Sequence, residues 1–321
     1  MTTIGITGAS GFVGRHLTKE LIHRGFTVRA VVRSAGTSEV GAEEVPLGDF
    51  TMVSDWEPVL NGLDIVVNLA ARVHVMHEIE SEPLQAFRTM NVDVTRSVAQ
   101  AAARANVKRF LYLSSIKVNG ESTQSDKPFH ASHQPAPEDP YGVSKLEAEI
   151  TLKDIGAETG LEIAVVRPPL VYGPNVGGNF LRLLKLSTMG VPLPFGSVRN
   201  ARAMIAVENL VDAIIHFSTT PIDGWVVALV KDSDSLSTGE LLKLMGASST
   251  KPSHILPFPV SVLSGGMRLL GKSAEADRLF GTLEIEISSD PEVQPWSPRF
   301  EARNTIKSTV DWYINSRETK S

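Results

Sequence analysis

The sequence predicts an α/β fold: a doubly wound parallel sheet followed by a smaller, irregular α+β domain. Three observations carry this reading. Short apolar runs alternate with helix-like stretches over the first half of the chain, the rhythm of a parallel sheet covered by helices on both faces. Runs such as Asp64–Leu69 (DIVVNL) and Phe110–Leu113 (FLYL) are near-continuously apolar, as strands buried on both sides require. Past about residue 170 the rhythm breaks, and proline and glycine punctuate Pro168–Gly196 and Ala247–Gly266.

The elements follow in order. Thr3–Thr7 (TIGIT) is the first strand, and a helix runs over Gly14–Arg24. Thr27–Val32 (TVRAVV) is the second strand and leads into an acidic loop. After DIVVNLA comes a long helix ending near Ala105, then the strand-to-turn RFLYLSS. A helix from about Pro140 to Thr159 leads into a further strand, Glu162–Arg167. Residues 1–170 are therefore expected to form one domain and residues 171–321 mainly a second. The chain is expected to return to the first domain near Met204–Phe217, where an apolar strand runs into an amphipathic helix.

Composition narrows the function classes. A 321-residue chain with 42% hydrophobic and 21% charged residues can build one large or two moderate cores. No run reaches the length of a membrane span, and MTTIGITGAS reads straight into a strand, so neither membrane insertion nor a signal peptide is expected. With 0 cysteines there is no disulfide framework, thiolate zinc site or cysteine nucleophile, which suits a cytoplasmic setting. The net charge of -5 argues against nucleic-acid binding. It leaves an anionic small ligand open, since a pocket needs only one or two local arginines.

Thr7–Gly14 reads TGASGFVG, directly after the first strand and at the opening of a helix. Gly8 permits the tight turn, Gly11 lets backbone approach a pyrophosphate, and Gly14 lets helix and strand pack closely. Free N–H groups and the helix dipole then face the anion. This is a Rossmann-type dinucleotide site. Such sites often carry an acid at the end of the second strand to bind the adenosine ribose. Here Val32 and Arg33 stand there instead. An arginine would pair with a 2′-phosphate, favouring NADP(H) over NAD(H); a solvated strand-end arginine is the alternative.

Tyr141 and Lys145 (YGVSK) lie one helical turn apart, on one face. A phenol has a pKa of about 10, too high for proton exchange near neutrality. The Lys145 ammonium, aided by an oxidised cofactor's charge, is expected to lower it. Tyr141 then exchanges a proton with a sugar-type oxygen while Lys145 also holds the nicotinamide ribose. Ser114 and Ser115 end a strand at the carboxyl edge of the sheet, where such folds bind ligands, and Ser115 can orient the reacting oxygen.

In this order the motifs resemble the extended short-chain dehydrogenase/reductases, the NAD(P)-dependent epimerase/dehydratase family of nucleotide-sugar epimerases, dehydratases and 4-ketoreductases. The likeness covers nearly the whole chain: TGASGFVG, NLAA (Asn68–Ala71), SSIKVNG, YGVSK and RPPLVYGP (Arg167–Pro174). It implies a Ser115–Tyr141–Lys145 triad. It also implies cofactor contacts from Gly8, Ser10, Gly11, Phe12, Val13, Gly14, Arg33, Leu69, Ala70, Ala71, Tyr141, Lys145 and Pro168. On the substrate side it implies Ser115, with Arg202 gripping a uridine ribose or diphosphate. Asn179 and Phe180 would form the uridine-diphosphate loop, and Arg278 a second diphosphate ligand. A homodimer is a further family expectation.

Departures from the family narrow the reaction. The 4,6-dehydratases carry Asp-Glu directly after the triad residue for water elimination, whereas this chain has Ile116 and Lys117. Asn119 replaces the usual tyrosine of a V-Y-G turn and Asn68 a frequent histidine, neither with an assigned role. His74, His77, Glu78 and Glu80 lack a matching ligand cluster elsewhere, so no metal is expected. His130 and His133 read as solvated loop residues.

The resemblance and Arg33 together imply an NADP(H)-dependent oxidoreductase acting at C4 of a UDP-sugar. The reaction they point to is 4-keto reduction of a UDP-4-keto-6-deoxy-N-acetylhexosamine (a UDP-N-acetylquinovosamine-type dehydrogenase) in surface polysaccharide synthesis. One alternative is a UDP-glucose or UDP-N-acetylglucosamine 4-epimerase with retained NAD. The other is a non-catalytic dinucleotide sensor, which would have no use for Ser115, Tyr141 and Lys145.

Overall fold

In the computed structural model, which describes residues 2–73, 82–124, 126–249, 251–289 and 293–318, strand and helix alternate along the chain. The first part runs β1 (Thr3–Thr7), α1 (Phe12–His23), β2 (Thr27–Val32), β3 (Glu43–Pro46), α2 (Glu57–Leu60) and β4 (Ile65–Asn68). It continues with α3 (Pro83–Arg88), α4 (Val94–Arg104), β5 (Arg109–Leu113), α5 (Pro140–Thr159) and β6 (Glu162–Arg167). Then come β7 (Leu170–Tyr172), α6 (Gly178–Ser187), β8 (Pro192–Leu193), β9 (Met204–Ala206), α7 (Val207–Thr219) and β10 (Trp225–Leu229). The chain ends with α8 (Thr238–Ala247), β11 (His254–Ile255), α9 (Val260–Leu269), α10 (Ser273–Phe280) and α11 (Ala302–Glu318).

Seven strands form one parallel sheet in the order β10-β6-β5-β4-β1-β2-β3. Alternate strand residues face opposite sides, and each side buries its own cluster. Ile4, Ile6, Leu111 and Val166 meet Leu17 and Leu21 of α1 and Leu210 and Ile214 of α7. On the other side Val66, Phe110, Tyr112 and Val165 meet Val98 and Ala102 of α4 and Leu152 and Ile155 of α5. A third core holds Tyr172, Phe180, Leu184, Leu241, Met245, Ile306 and Val310 together, from β7, α6, α8 and α11.

Four features differ from the sequence reading. Helix α1 begins at Phe12, with Gly11 as its N-cap, rather than at Gly14. The acidic loop contains an edge strand, β3, whose sequence EEVP is too polar to announce itself but suits an exposed edge. Glu44 folds the loop before β3, accepting hydrogen bonds from the backbone N–H groups of Gly36 (2.6 Å), Thr37 (3.0 Å) and Ser38 (2.8 Å). The Ser38 hydroxyl, together with those N–H groups, favours the charged form of Glu44 and lowers its pKa to about 2. The long helix ending near Ala105 is α3 and α4 joined through a π-helical turn, Thr89–Asp93. The seventh strand, β10, pairs with β6 from Trp225 opposite Ile163 to Leu229 opposite Arg167, far along the chain from its neighbour.

Candidate active site

The strand order reverses between β1 and β4, so the loops leaving these two strands diverge and leave a crevice between them. The glycine loop leaves β1 and Leu69–Ala71 leaves β4. Gly8 has φ 73°, and a Cβ there would lie 3.0 Å from the Ala70 backbone nitrogen. At Gly14 a Cβ would come within 2.3 Å of the Gly8 carbonyl oxygen, so only glycine lets α1 start this close to the loop. The crevice encloses about 770 Å³ and is lined by Gly8, Ser10, Gly11, Arg33, Leu69, Ala70 and Ala71 among others. That cradle, which a Cβ would fill, fits a dinucleotide's pyrophosphate. Phe12 and Val13 instead pack their side chains against the core, and Pro168 is buried with its carbonyl accepting from Ile116 N at 2.9 Å.

Two asparagines hold this crevice open. Thr7 Oγ1 donates to Asn68 Oδ1 (2.5 Å), and Asn68 Nδ2 donates to Thr95 (3.0 Å), tying the ends of β1 and β4 to α4. Asn68 is only 1% exposed and so acts as a strut rather than a ligand contact. Asn91, in the π-helical turn, accepts from Arg72 N (2.8 Å) and donates to Arg72 O (3.1 Å) and Ser144 (2.9 Å). It thereby joins the loop after β4 to α5. At the far end of the crevice Arg33 is exposed, and Asp49 lines the same space. The N–H and hydroxyl of Thr51, with the Arg33 charge, hold the Asp49 carboxyl below its usual range.

One strand over, Ser115 follows β5 and Tyr141 occupies the first turn of α5, half-buried. Asp139 caps α5, accepting from Gly142 N at 2.7 Å. The Tyr141 ring meets Phe87 edge-on at 5.9 Å. Burial pushes its phenol above the ordinary value, Asp139 adds to that, and the Ser115 hydroxyl works the other way. Lys145 is 2% exposed, donates to Leu113 O (2.9 Å) and lies 4.5 Å from the Tyr112 ring centre. Burial lowers Lys145 to about 7, with Glu149 opposing.

Lys145 lies beside Tyr141, its nitrogen 5.8 Å from the ring centre, but burial is what dominates the phenol here.

Behind the triad a buried network runs through Ser114, Glu149, Arg167 and Asn119. Ser114 donates to Glu149 (2.5 Å), Arg167 pairs with both Glu149 oxygens (3.0 and 2.5 Å), and Arg167 also donates to Asn119 (3.0 Å). Asn119 is thus the polar anchor of the turn after Ser115. Because Glu149 and Arg167 are 3% and 4% exposed, removing one partner would strand a buried charge.

Toward the second part of the chain, Arg202 and Arg278 face each other closely enough to repel, and Glu121 offsets them, 3.8 Å from Arg278. Arg202 also donates to Gly281 O at 3.4 Å. Burial and Arg278 lower the Arg202 pKa, and Glu121 raises it. Asn179 is exposed at the start of α6. Phe180 is a correction: it is fully buried and stacked on Tyr172 at 5.0 Å, so its ring is core rather than ligand surface.

A family model for the NAD dependent epimerase/dehydratase family matches residues 4–227. A UDP-glucose 4-epimerase of Vibrio cholerae is 38% identical over 316 residues, covering 98% of this chain and 96% of its own. The chain belongs to the NAD-dependent epimerase/dehydratase family. Another relative, the N-acetyl-alpha-D-glucosaminyl-diphospho-ditrans,octacis-undecaprenol 4-epimerase of Escherichia coli O157:H7, is 30% identical over 267 residues, covering 81% of this chain and 77% of its own. The UDP-glucose 4-epimerase of Thermotoga maritima, solved with UDP-glucose, shares the fold with a TM-score of 0.78 at 20% identity, covering 98% of this chain and 100% of the other.

For a member of this family, the sequence reading overlooked Asp49 and Asn91. Asp49 follows an edge strand that was not foreseen. Asn91 gave no signal in the sequence, since it stands among other polar residues such as Thr89 and Asp93. His74, His77, Glu78 and Glu80 lie outside the described residues. Among the described residues no group of three or more side chains is arranged for a metal, and no helix is long and apolar enough to cross a membrane. His130 and His133 contact one another and Ser132 in their exposed loop.

Proposed function

We propose that this enzyme is a UDP-hexose 4-epimerase working on retained NAD. The observation that carries the reading is the gathering of Ser115, Tyr141 and Lys145 at the carboxyl edge of β5, beside the dinucleotide crevice, with Ile116 and Lys117 where elimination would need an acid and a base. The epimerase relatives favour it over the 4-keto reduction expected above. NAD bound in the crevice supplies the acceptor, and then the donor, of hydride at C4. Tyr141 takes the proton of the C4 hydroxyl and returns it after the sugar has presented its other face. Ser115 holds the same oxygen, and Lys145, anchored on Leu113 O, reaches the nicotinamide ribose. Arg202, Arg278 and the exposed Asn179 grip the uridine diphosphate. The reaction belongs in the cytoplasm, as the cysteine-free sequence suggests.

The second reading, reduction with NADPH, rests on Arg33. Asp49 weakens it, because a 2′-phosphate placed against Arg33 would also meet this carboxylate. Incubation with UDP-glucose and UDP-N-acetylglucosamine, followed by chromatography, should give a 4-epimer with no net change in reduced nicotinamide, and mass spectrometry of the purified protein should find NAD. Stoichiometric NADPH oxidation by a 4-keto sugar nucleotide, without epimerisation, would restore the reductase. Bound NAD with no turnover of any sugar would favour a sensor. Arg33→Asp should leave NAD affinity nearly unchanged; a parent that binds NADPH much more tightly than NAD, with that preference lost in Arg33→Asp, would return the 2′-phosphate to consideration.

A further inference from the structure

We propose that Lys117 is a positioning residue for proton transfer: it holds the Asp139 carboxylate in an ion pair at the start of α5 and thereby lets Tyr141 lose its proton. This rests on the reading of Tyr141 as proton carrier.

The geometry is specific. Lys117 Nζ donates to Asp139 Oδ2 and, at 2.7 Å, to Glu121 Oε1. The other Asp139 oxygen accepts from Gly142 N at 2.7 Å, which places the carboxylate in the turn that carries Tyr141. A carboxylate this close opposes formation of a phenolate, and an ammonium on its second oxygen cancels most of that opposition. Glu121 does not hold Lys117 alone, since Arg278 lies 3.8 Å from it and Arg202 acts on it as well. The Lys117 charge is therefore available to Asp139.

The other groups packed around Tyr141 include Arg72, whose guanidinium lies 5.8 Å from the Phe87 ring centre. Phe87 from α3 and Ser115 from the end of β5 are uncharged. Tyr112 on β5 is buried and held protonated, with a pKa raised by desolvation. Arg88 on α3 and Glu147 on α5 pair with each other at 2.6 Å. Lys145, on the same helix face, donates to Leu113 O and makes no ion pair with Asp139. The sequence marked position 117 only by its lack of an acid for elimination; the structure gives it a role of its own.

Four variants separate charge from scaffolding: Lys117→Met, Lys117→Arg, Asp139→Asn and the double Lys117→Met/Asp139→Asn. Asparagine caps a helix about as well as aspartate, so Asp139→Asn removes the charge and keeps the cap. In the pH dependence of kcat, the acidic limb should move up by about one unit in Lys117→Met and down in Asp139→Asn. Lys117→Arg should match the parent. Lys117→Met should shift the limb far less in the Asp139→Asn background, as coupled sites do.

The second readout does not need turnover. Tyrosinate absorbance of the NAD-loaded protein is titrated, and the Tyr141→Phe curve is subtracted to remove the other tyrosines. The same order of shifts is expected. If Lys117→Met loses rate equally at every pH and its tyrosinate curve overlays the parent, Lys117 is only a staple and the proposal is overturned. If Lys117→Met does not fold, an unshifted Asp139→Asn titration overturns it alone. If the parent epimerises no UDP-hexose, the functional reading fails while the titration still decides Lys117.

Discussion

In the proposed reaction, Tyr141 is the residue on which the chemistry turns. Its replacement by phenylalanine should lower turnover by about 10²–10⁴-fold, the usual contribution of a general acid–base, while NAD stays bound. Retention of most of the parent rate would remove Tyr141 from the reaction. Lys145 offers a prediction of a different kind. Its folded pKa of about 7 lies below the unfolded value of about 10.4. Below pH 7 both states carry the proton, so the folded protein bears the whole penalty of a buried ammonium. As pH rises from about 7 to about 10 the unfolded chain binds more protons than the folded one, and the penalty is relieved. In urea unfolding, Lys145→Met should therefore gain most over the parent near pH 6 and little near pH 10; a gap independent of pH would contradict this. The residues legible from sequence were those in contiguous motifs: Gly8, Gly11, Gly14, Ser115, Tyr141 and Lys145. Phe180, Asn119 and Asp49 were not, because their environments are set by Tyr172, Arg167 and Arg33, which sequence spacing does not bring near them.

Among the elements, α1 shows most plainly how backbone geometry makes a binding site. A Gly14→Ala side chain would sit 2.3 Å from the Gly8 carbonyl, so helix and loop must separate. The expected result is a lower melting temperature and a loss of NAD affinity larger than the stability loss alone explains, measured by calorimetry with and without NAD. Unchanged affinity would mean the loop tolerates the extra carbon. Helix α5 and strand β6 were readable to the residue because a proline-led start, a Gly160 stop and a continuous apolar run mark them. The π-helical turn before α4 was not readable, since one additional residue per turn leaves no trace in apolar spacing.

At the scale of the molecule, residues far apart in sequence complete one sheet. Fragment 1–170 would lack β10 and α7, whose Leu210, Ile214 and Phe217 are at most 2% exposed. Each such side chain contributes about 1.5–3 kcal/mol when buried, so these three alone rival the roughly 5–15 kcal/mol that keeps a protein folded. The fragment should show no cooperative urea transition by circular dichroism; a sharp one would prove its core self-sufficient. The alternating first half made the sheet legible, whereas the short run WVVAL, isolated among turns, gave no hint that it belongs beside β6. This distance also has a meaning during synthesis on the ribosome. At about 5–20 residues per second, the outer edge of β6 stays without its partner for roughly 3–12 s before β10 has even been made. An unpaired parallel edge invites other chains, so in the cell the yield of this protein is set partly by what shields the nascent chain during those seconds.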